Sequence, residues 1–349
     1  MKQFNAEVRT LAIDLAKNVF QLAGADQLGE VIYEERLKSR EALRELFAQL
    51  PESVEVLMET GPGAQAWART LRARGIAVRI LPAQRVAEHR SGAKNDRNDV
   101  LAILRAGRDT AIHAVPVKSV ELLTMQALHR LRSGYVSRRT TISNQVRGLL
   151  LECGIAIKAG EPALEACLDR SLCDASLPIP DRLRDAIADL WAEHQGLGIK
   201  VAELDRELAQ VAKRDPVTER LMTIPGVGPT TATALVCKDI NPQRFANARQ
   251  FAAYFGLVPD QHSSGNKVRL KGMSKRGDSY IRSCLINGAH AVVRRVTPDS
   301  DDPRRRHIQR WIQRLGSKGA AVRLANHNLR VIYALMKTGG VYRDAMAKA

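Results

Sequence analysis

Four carboxylates in the first hundred residues have types and spacing that could do chemistry. Asp14 closes the apolar run at residues 8–14 (VRTLAID), and Glu59 comes near the end of a second run at residues 54–60 (VEVLMET). Both runs read as strands, and a mixed sheet delivers the side chains at such strand ends to a shared edge. Asp96 and Asp99 in KNDRND are three residues apart, so on a helix both project from one face. Four carboxylates in these places suit two divalent, oxygen-liganded metals, Mg2+ or Mn2+, about 4 Å apart. Such a pair activates an attacking oxygen and stabilises a leaving one in phosphoryl transfer. Any one of these residues alone reads as a solvated surface group or a helix cap; the combination carries the expectation.

Two further motifs point to phosphate. The segment 221–236, LMTIPGVGPTTATALV, has the pattern of a helix-hairpin-helix. Gly226 and Gly228 permit a tight turn whose N–H groups, with the following helix N-terminus, can hold a phosphate without reading bases. Beyond it, HSSGNKVRLKGMSKRG sets Ser263 and Ser264 before Gly265, followed by Lys267, Arg269, Lys271, Lys275 and Arg276. Serine beside glycine is usually only a turn. Surrounded by cations, however, its hydroxyl could attack a phosphodiester that they position, forming a covalent phosphoserine.

Charge agrees with these motifs. The 349 residues carry 54 Lys and Arg against 37 Asp and Glu, a net of +17, and residues 262–349 hold 19 basic and 5 acidic side chains, or +14 of that excess. A basic block of this kind reads as a polyanion-binding region, with Arg304, Arg305, Arg306 and Arg310 as its sharpest anchors. Residues 161–220, with 13 acidic and 8 basic side chains, are unsuited to lie along phosphates. Five cysteines without a C-x-x-C pair argue against a disulfide framework or a zinc knuckle. No apolar stretch is long enough to span a membrane, and Arg9 and Asp14 interrupt the start where a signal peptide needs its apolar core, so a cytoplasmic protein is expected.

The elements that must position these residues follow from periodicity. Residues 8–14, 18–25 and 30–37 read as a three-strand meander. A helix over 39–50, a strand over 54–60, a helix over 63–74, a strand over 76–81 and a helix over 93–106 follow. A meander followed by β-α-β-α units predicts a mixed sheet with helices on its faces, and the strand order fits an RNase H-like fold of the RuvC type. Residues 119–151 read as a long basic helix with a break near Gly134. In the next helical segment Leu183, Ile187, Leu190, His194, Leu197, Val201, Leu204, Leu208 and Val211 alternate steps of four and three. That is an a/d seam, expected to pair as a coiled coil; the competing expectation is a buried helical hairpin, with Gly196 and Gly198 weakening a continuous helix.

With AIDLAKNVF, LMETGPGA, KNDRNDV, TIPGVGPTTA, RFANARQFAAYFGLVP and SSGNKVRLKGMSKRGDSYIR in this order, nearly the whole chain resembles the one-ten family of insertion-sequence transposases, in its eleven-eleven branch. The resemblance implies a DEDD RuvC-like domain, a coiled-coil segment and a C-terminal domain with a nucleophilic serine, in recombinases guided by a structured bridge RNA. It assigns Asp14, Glu59, Asp96 and Asp99 to the DEDD set and the serine role to Ser264, directly before Gly265, with Ser263 a second hydroxyl beside it.

The expected fold class is therefore α/β plus α. It comprises an RNase H-like mixed-sheet domain with its trailing helix (1–155), a helical coiled-coil segment (156–215), and a mainly helical transposase domain with the helix-hairpin-helix and basic tail (216–349). The expected function is site-specific DNA recombination in which metals on the carboxylates align a phosphodiester and activate Ser264. The expected partners are DNA, a bridge RNA and further copies of the chain, as a dimer or dimer of dimers, with no membrane. Two other readings are a metal-dependent junction-resolving nuclease, in which water replaces the serine, and a non-catalytic nucleic-acid-binding protein.

Overall fold

The computed structural model of the chain describes residues 4–93, 95–262, 269–297 and 300–342. It divides into two compact units, Met1–Glu121 and Leu122–Ala349.

The first unit is built on a five-stranded sheet of β1 (Thr10–Leu15), β2 (Phe20–Ala25), β3 (Val31–Leu37), β4 (Glu55–Glu59) and β5 (Ala77–Leu81), in the order β3-β2-β1-β4-β5. The first three strands run antiparallel, and β4 and β5 join parallel to β1. The β2–β3 turn is held by Asp26, whose carboxylate accepts from the Gly29 and Glu30 N–H groups at 2.7 and 2.9 Å, while Gly29 takes the left-handed φ of 89°.

Strand alternation sorts the side chains to two faces. Leu11, Ile13, Val56, Met58, Val78 and Ile80 share one apolar core with Leu43, Leu46 and Phe47 of α1 (Arg40–Gln49) and Trp67, Ala68 and Leu71 of α2 (Ala64–Arg72). Ser39 starts α1 as expected, accepting from the Ala42 N–H at 3.0 Å. Ala12, Ala23 and Leu57 face the other way, against Val86 of the short α3 (Ala83–Ala87) and Val100, Ile103 and Leu104 of α4 (Asp96–Arg108). The mixed sheet with helices on both faces is the architecture that the meander and its β-α-β continuation predict.

The second unit opens on α5 (Val120–Glu152), which runs without the break expected near Gly134. Nothing crowds a Cβ at Gly134, and a lone glycine costs a 33-residue helix only about 1 kcal/mol. After α6 (Glu161–Ser171) comes α7 (Asp181–Arg214), likewise continuous through Gly196 and Gly198.

The a/d seam of α7 is covered by its own chain. Ile187, Trp191 and Leu197 pack with Ile142, Val146 and Leu150 of α5 and Leu164 and Leu168 of α6. Leu208 packs with Met125 and Cys237. Arg132 pairs with Asp205 and Lys200 lies over the Tyr135 ring, so α5 and α7 run antiparallel. Much of the heptad pattern is met within the chain by an antiparallel hairpin, which is the competing expectation: a periodic apolar stripe specifies a covering helix and not whose helix it is.

The remainder is helical apart from one small hairpin. Helices α8 (Pro216–Met222), α9 (Pro229–Val236), α10 (Ala248–Tyr254), α11 (Ser279–Val293) and α12 (Pro303–Thr338) enclose a core of Leu221, Leu235, Phe251, Phe255, Leu285 and Leu329, among others. β6 (Pro259–Gln261) and β7 (Leu270–Met273) pair antiparallel between α10 and α11. Helix α12 is broken at Gly316, whose φ of 69° is left-handed. Among the described residues no helix is long and apolar enough to cross a membrane.

Candidate functional site

The carboxylates gather at one edge of the first unit's sheet. The β1–β4 ladder pairs Ile13 with Met58, so Asp14 and Glu59 are each the next residue on adjacent parallel strands. Ile13 and Met58 point into the α1/α2 core, and alternation therefore turns Asp14 and Glu59 to the α4 face. There α4 begins: Asn95 caps it, accepting from the Asn98 N–H at 2.8 Å, which sets Asp96 and Asp99 in the first turn. The Asn98 side chain adds a 2.7 Å bond to the Ala93 carbonyl, fixing the approach. The apolar side of α4 anchors the helix to the same sheet face as Ala12 and Leu57, which brings its first turn toward Asp14.

Electrostatics register that proximity. Burial, then the charges of Asp99 and Asp96, hold the Asp14 carboxyl above its ordinary value, with the Arg90 guanidinium opposing them. Arg90 itself lies on Asp99, with Nε 2.5 Å from Oδ1, and Arg36 is 3.5 Å from Asp96. As they stand, no three His, Cys, Asp or Glu side chains among the described residues form a group able to hold a metal ion. The donor chemistry nevertheless fits a hard divalent cation. The groups are carboxylate oxygens, Asp99 Oδ1 is buried with no hydrogen bond beyond its ion contact with Arg90, and burial together with neighbouring negative charge raises Asp14. Arg90 is the participant that sequence reading missed; nothing in EHRSGAKNDRND marks it, because its role depends on the α3–α4 loop returning to the helix start.

In the second unit Ser263, Ser264, Gly265 and Lys267 lie outside the described residues. On either side of them, the His262 N–H donates to the Arg269 carbonyl at 2.9 Å. Arg269, Lys271, Lys275 and Arg276 are all solvent-facing to some degree, and the Arg276 side chain is 82% exposed. Its backbone, by contrast, is locked: a Cβ at Gly256 would meet the Arg276 carbonyl oxygen at 2.0 Å. Asp278 then caps α11, accepting from the Tyr280 and Ile281 N–H groups.

The glycines of the 221–236 turn have separate fates. Gly226, at φ 88°, packs against α11, and a Cβ on Gly288 would stand 1.9 Å from the Gly226 carbonyl oxygen. Gly228 is exposed, caps α9 and has open space around it. In the arginine run, Arg304 is 8% exposed, whereas Arg305, Arg306 and Arg310 lie at the surface.

A polar knot beneath this region escaped the sequence reading. His129 of α5 is buried, with Nδ1 3.0 Å from the Tyr280 hydroxyl and Nε2 3.0 Å from Thr233 Oγ1. Burial, then Arg132, pushes its pKa down to about 4, against a pull from Asp205. Arg132 binds Asp205 through two bonds of 2.6 and 3.1 Å. A lone histidine on a basic helix gives no sequence signal for partners more than a hundred residues away.

Comparison with known proteins supplies the context for this geometry. Residues 11–155 match the DEDD-type IS110 family model, described as a transposase, and residues 218–304 match the model of the IS116/IS110/IS902 transposase family. A "Probable family 20 transposase" of Pseudomonas aeruginosa is 40% identical over 95% of this chain and 98% of its own length. The transposase for insertion sequence element IS1111A of Coxiella burnetii is 36% identical over 97% of this chain and 92% of its own. The transposase for IS1328 of Yersinia enterocolitica is 31% identical over 96% and 98%.

Proposed function

The chain belongs to the IS116/IS110/IS902 family of insertion-sequence transposases, enzymes that cut and rejoin DNA, and on that premise we propose a metal-assisted serine recombinase. The observation that carries the reading is the meeting of Asp14 and Glu59, on adjacent parallel strands, with the first turn of α4 that bears Asp96 and Asp99. A β3-β2-β1-β4-β5 sheet with this carboxylate edge supports an RNase H-like domain of the RuvC type. The α8–turn–α9 segment supports a helix-hairpin-helix.

Asp14, Glu59, Asp96 and Asp99 would hold one or two Mg2+ or Mn2+ ions. The metal supplies charge neutralisation at a phosphodiester and a lower barrier to attack on it. In the protein's own chemistry, the Ser264 hydroxyl loses its proton as Oγ bonds to phosphorus. The bridging P–O bond breaks, and the departing deoxyribose oxygen takes up a proton. The phosphoserine conserves the bond energy, so rejoining by a second deoxyribose hydroxyl reverses these events without a nucleotide cofactor. The cations of the hairpin, Arg269, Lys271, Lys275 and Arg276, and the exposed Arg305, Arg306 and Arg310 bind nucleic acid backbone, with an affinity that falls as salt rises. Gly228 at the open start of α9 adds a backbone contact. A bridge RNA selects the DNA sites. The chain assembles as a dimer or dimer of dimers, for which Leu131, Val136 and Ile199 leave exposed apolar surface beyond the covered seam.

A denaturing gel of labelled element-end DNA, with sequencing of copurified RNA, tests this reading. Wild type and Ser263→Ala should form a covalent protein–DNA adduct, and Ser264→Ala should not. Metal-dependent cleavage without any adduct would instead establish a nuclease.

A further inference from the structure

A cavity of about 450 Å³ lies at the foot of the β6–β7 hairpin, against both halves of α12. Its floor is apolar, with Leu257, Met273 and Val322, and one wall carries Trp311. Lys271, Arg323 and Arg330 also line it, and the described lining contains no Asp or Glu. None of these three cations has a carboxylate partner among the described residues.

The break in α12 is what builds this wall. Trp311 and Arg323 are twelve residues apart, which on a straight helix would separate them by about 18 Å. The chain kinks at Gly316, and the Arg323 guanidinium comes to lie 4.9 Å from the centre of the Trp311 ring. The Asn326 amide, donating to the Leu257 carbonyl at 2.7 Å, ties the second half of α12 to the entry of the hairpin. The result is a guanidinium-over-indole platform next to apolar lining residues, with two more cations in the same lining.

A ligand matched to these features has a flat, partly apolar body and an attached anion. We propose that the cavity receives one unstacked nucleotide of the DNA strand, its base on the Arg323–Trp311 platform and its phosphate toward Lys271 and Arg330. The inference rests on the DNA-recombinase reading above. Bases stack on arginine planes as well as on aromatic rings, and a cavity of this size holds a single nucleotide, whereas a paired and stacked base cannot enter it. Because β6 and β7 flank the segment that carries Ser264, a nucleotide held here would anchor the strand beside the hairpin proposed to cut it.

The full-length protein is titrated, by fluorescence anisotropy, with a 30-base-pair duplex containing one extrahelical 5-iodo-2′-deoxyuridine and with its fully paired counterpart. Long-wavelength cross-linking and peptide mapping follow. The extrahelical duplex should bind about fivefold tighter or better, the scale of one base stack. Its cross-links should fall within residues 257–273 or 311–330. Arg323→Ala and Arg330→Ala should each lose that preference while binding the paired duplex within about twofold of wild type, and Arg314→Ala, outside the lining, should keep it. Equal affinity for the two duplexes, or cross-links confined to other segments, overturns the inference alone. Displacement of the cross-link by micromolar deoxyadenosine monophosphate would assign the cavity to a free mononucleotide and overturn the strand assignment. Failure to bind either duplex would overturn the recombinase reading and this inference with it.

Discussion

Arg90 Nε lies 2.5 Å from Asp99 Oδ1, at the carboxylate whose charge weighs most heavily, after burial, on Asp14. The pair is mostly buried, with side-chain exposures of 29% and 18%, so its attraction is less screened than that of a surface ion pair. A protein cation thus offsets the charge that, in the proposed site, a divalent metal would offset.

Competition between the two follows. Arg90→Gln should tighten Mn2+ binding to the full chain severalfold, read from the loss of the free-ion signal in electron paramagnetic resonance, while Asp99→Asn should weaken it. Weaker Mn2+ binding by Arg90→Gln would mean that Arg90 holds Asp99 in a ligating pose.

The carboxylate edge was legible in the sequence because strand alternation is a strict period of two: with VRTLAID and VEVLMET as neighbouring strands in the register that pairs Ile13 with Met58, Asp14 and Glu59 share a face. The spacing of Asp96 and Asp99 likewise survives any error in the helix start, which moved from residue 93 to 96. What was not legible depends on tertiary return. Arg90 reaches Asp99 only because the loop after α3 doubles back, and His129 meets Thr233 and Tyr280 across more than a hundred residues. The α7 seam falls between these cases, since its periodicity located the apolar stripe correctly and left the identity of its cover open.

His129 makes the second unit sensitive to acid. Its folded pKa of about 4 is below the ordinary 6.5, so between these values the unfolded chain binds more protons than the folded one. Stability is then full above pH 6.5 and lost as pH falls toward 4, by about 2 kcal/mol between pH 7 and pH 5. Urea midpoints of the full chain at the two pH values should show the loss in wild type and a smaller one in His129→Gln. An equal loss in both proteins would remove His129 as its origin.

The covered seam yields a stability effect rather than a dissociation. Leu208 is fully buried against Met125 and Cys237, so Leu208→Ala should cost about 2–5 kcal/mol. If α7 pairs only within the chain, that loss should be independent of protein concentration, and light scattering should give the same mass for folded mutant and wild type. A mass halved by the substitution would return the seam to an interface between copies.

Gly226 and Gly228 stand two residues apart in one turn, and a methyl group added against the first, at Gly288, or on the second, at Gly228, should have opposite outcomes. A Cβ on Gly288 would sit 1.9 Å from the Gly226 carbonyl oxygen, closer than any contact can be, and both atoms belong to backbone that cannot swing aside. Gly288→Ala must therefore push α11 away from the turn and loosen the core that contains Leu221, Leu285 and Leu329. Its thermal transition should fall well below that of wild type. Gly228, with φ −90° and nothing within 4 Å of the place a methyl group would take, can accept alanine without strain. Gly228→Ala should keep the wild-type transition, yet its methyl group would stand where a phosphate approaches the α9 N-terminus, so duplex affinity should drop severalfold at low salt. Unchanged affinity in that folded variant would leave the turn a packing device for α11 and assign the phosphate contacts to the arginines and lysines alone.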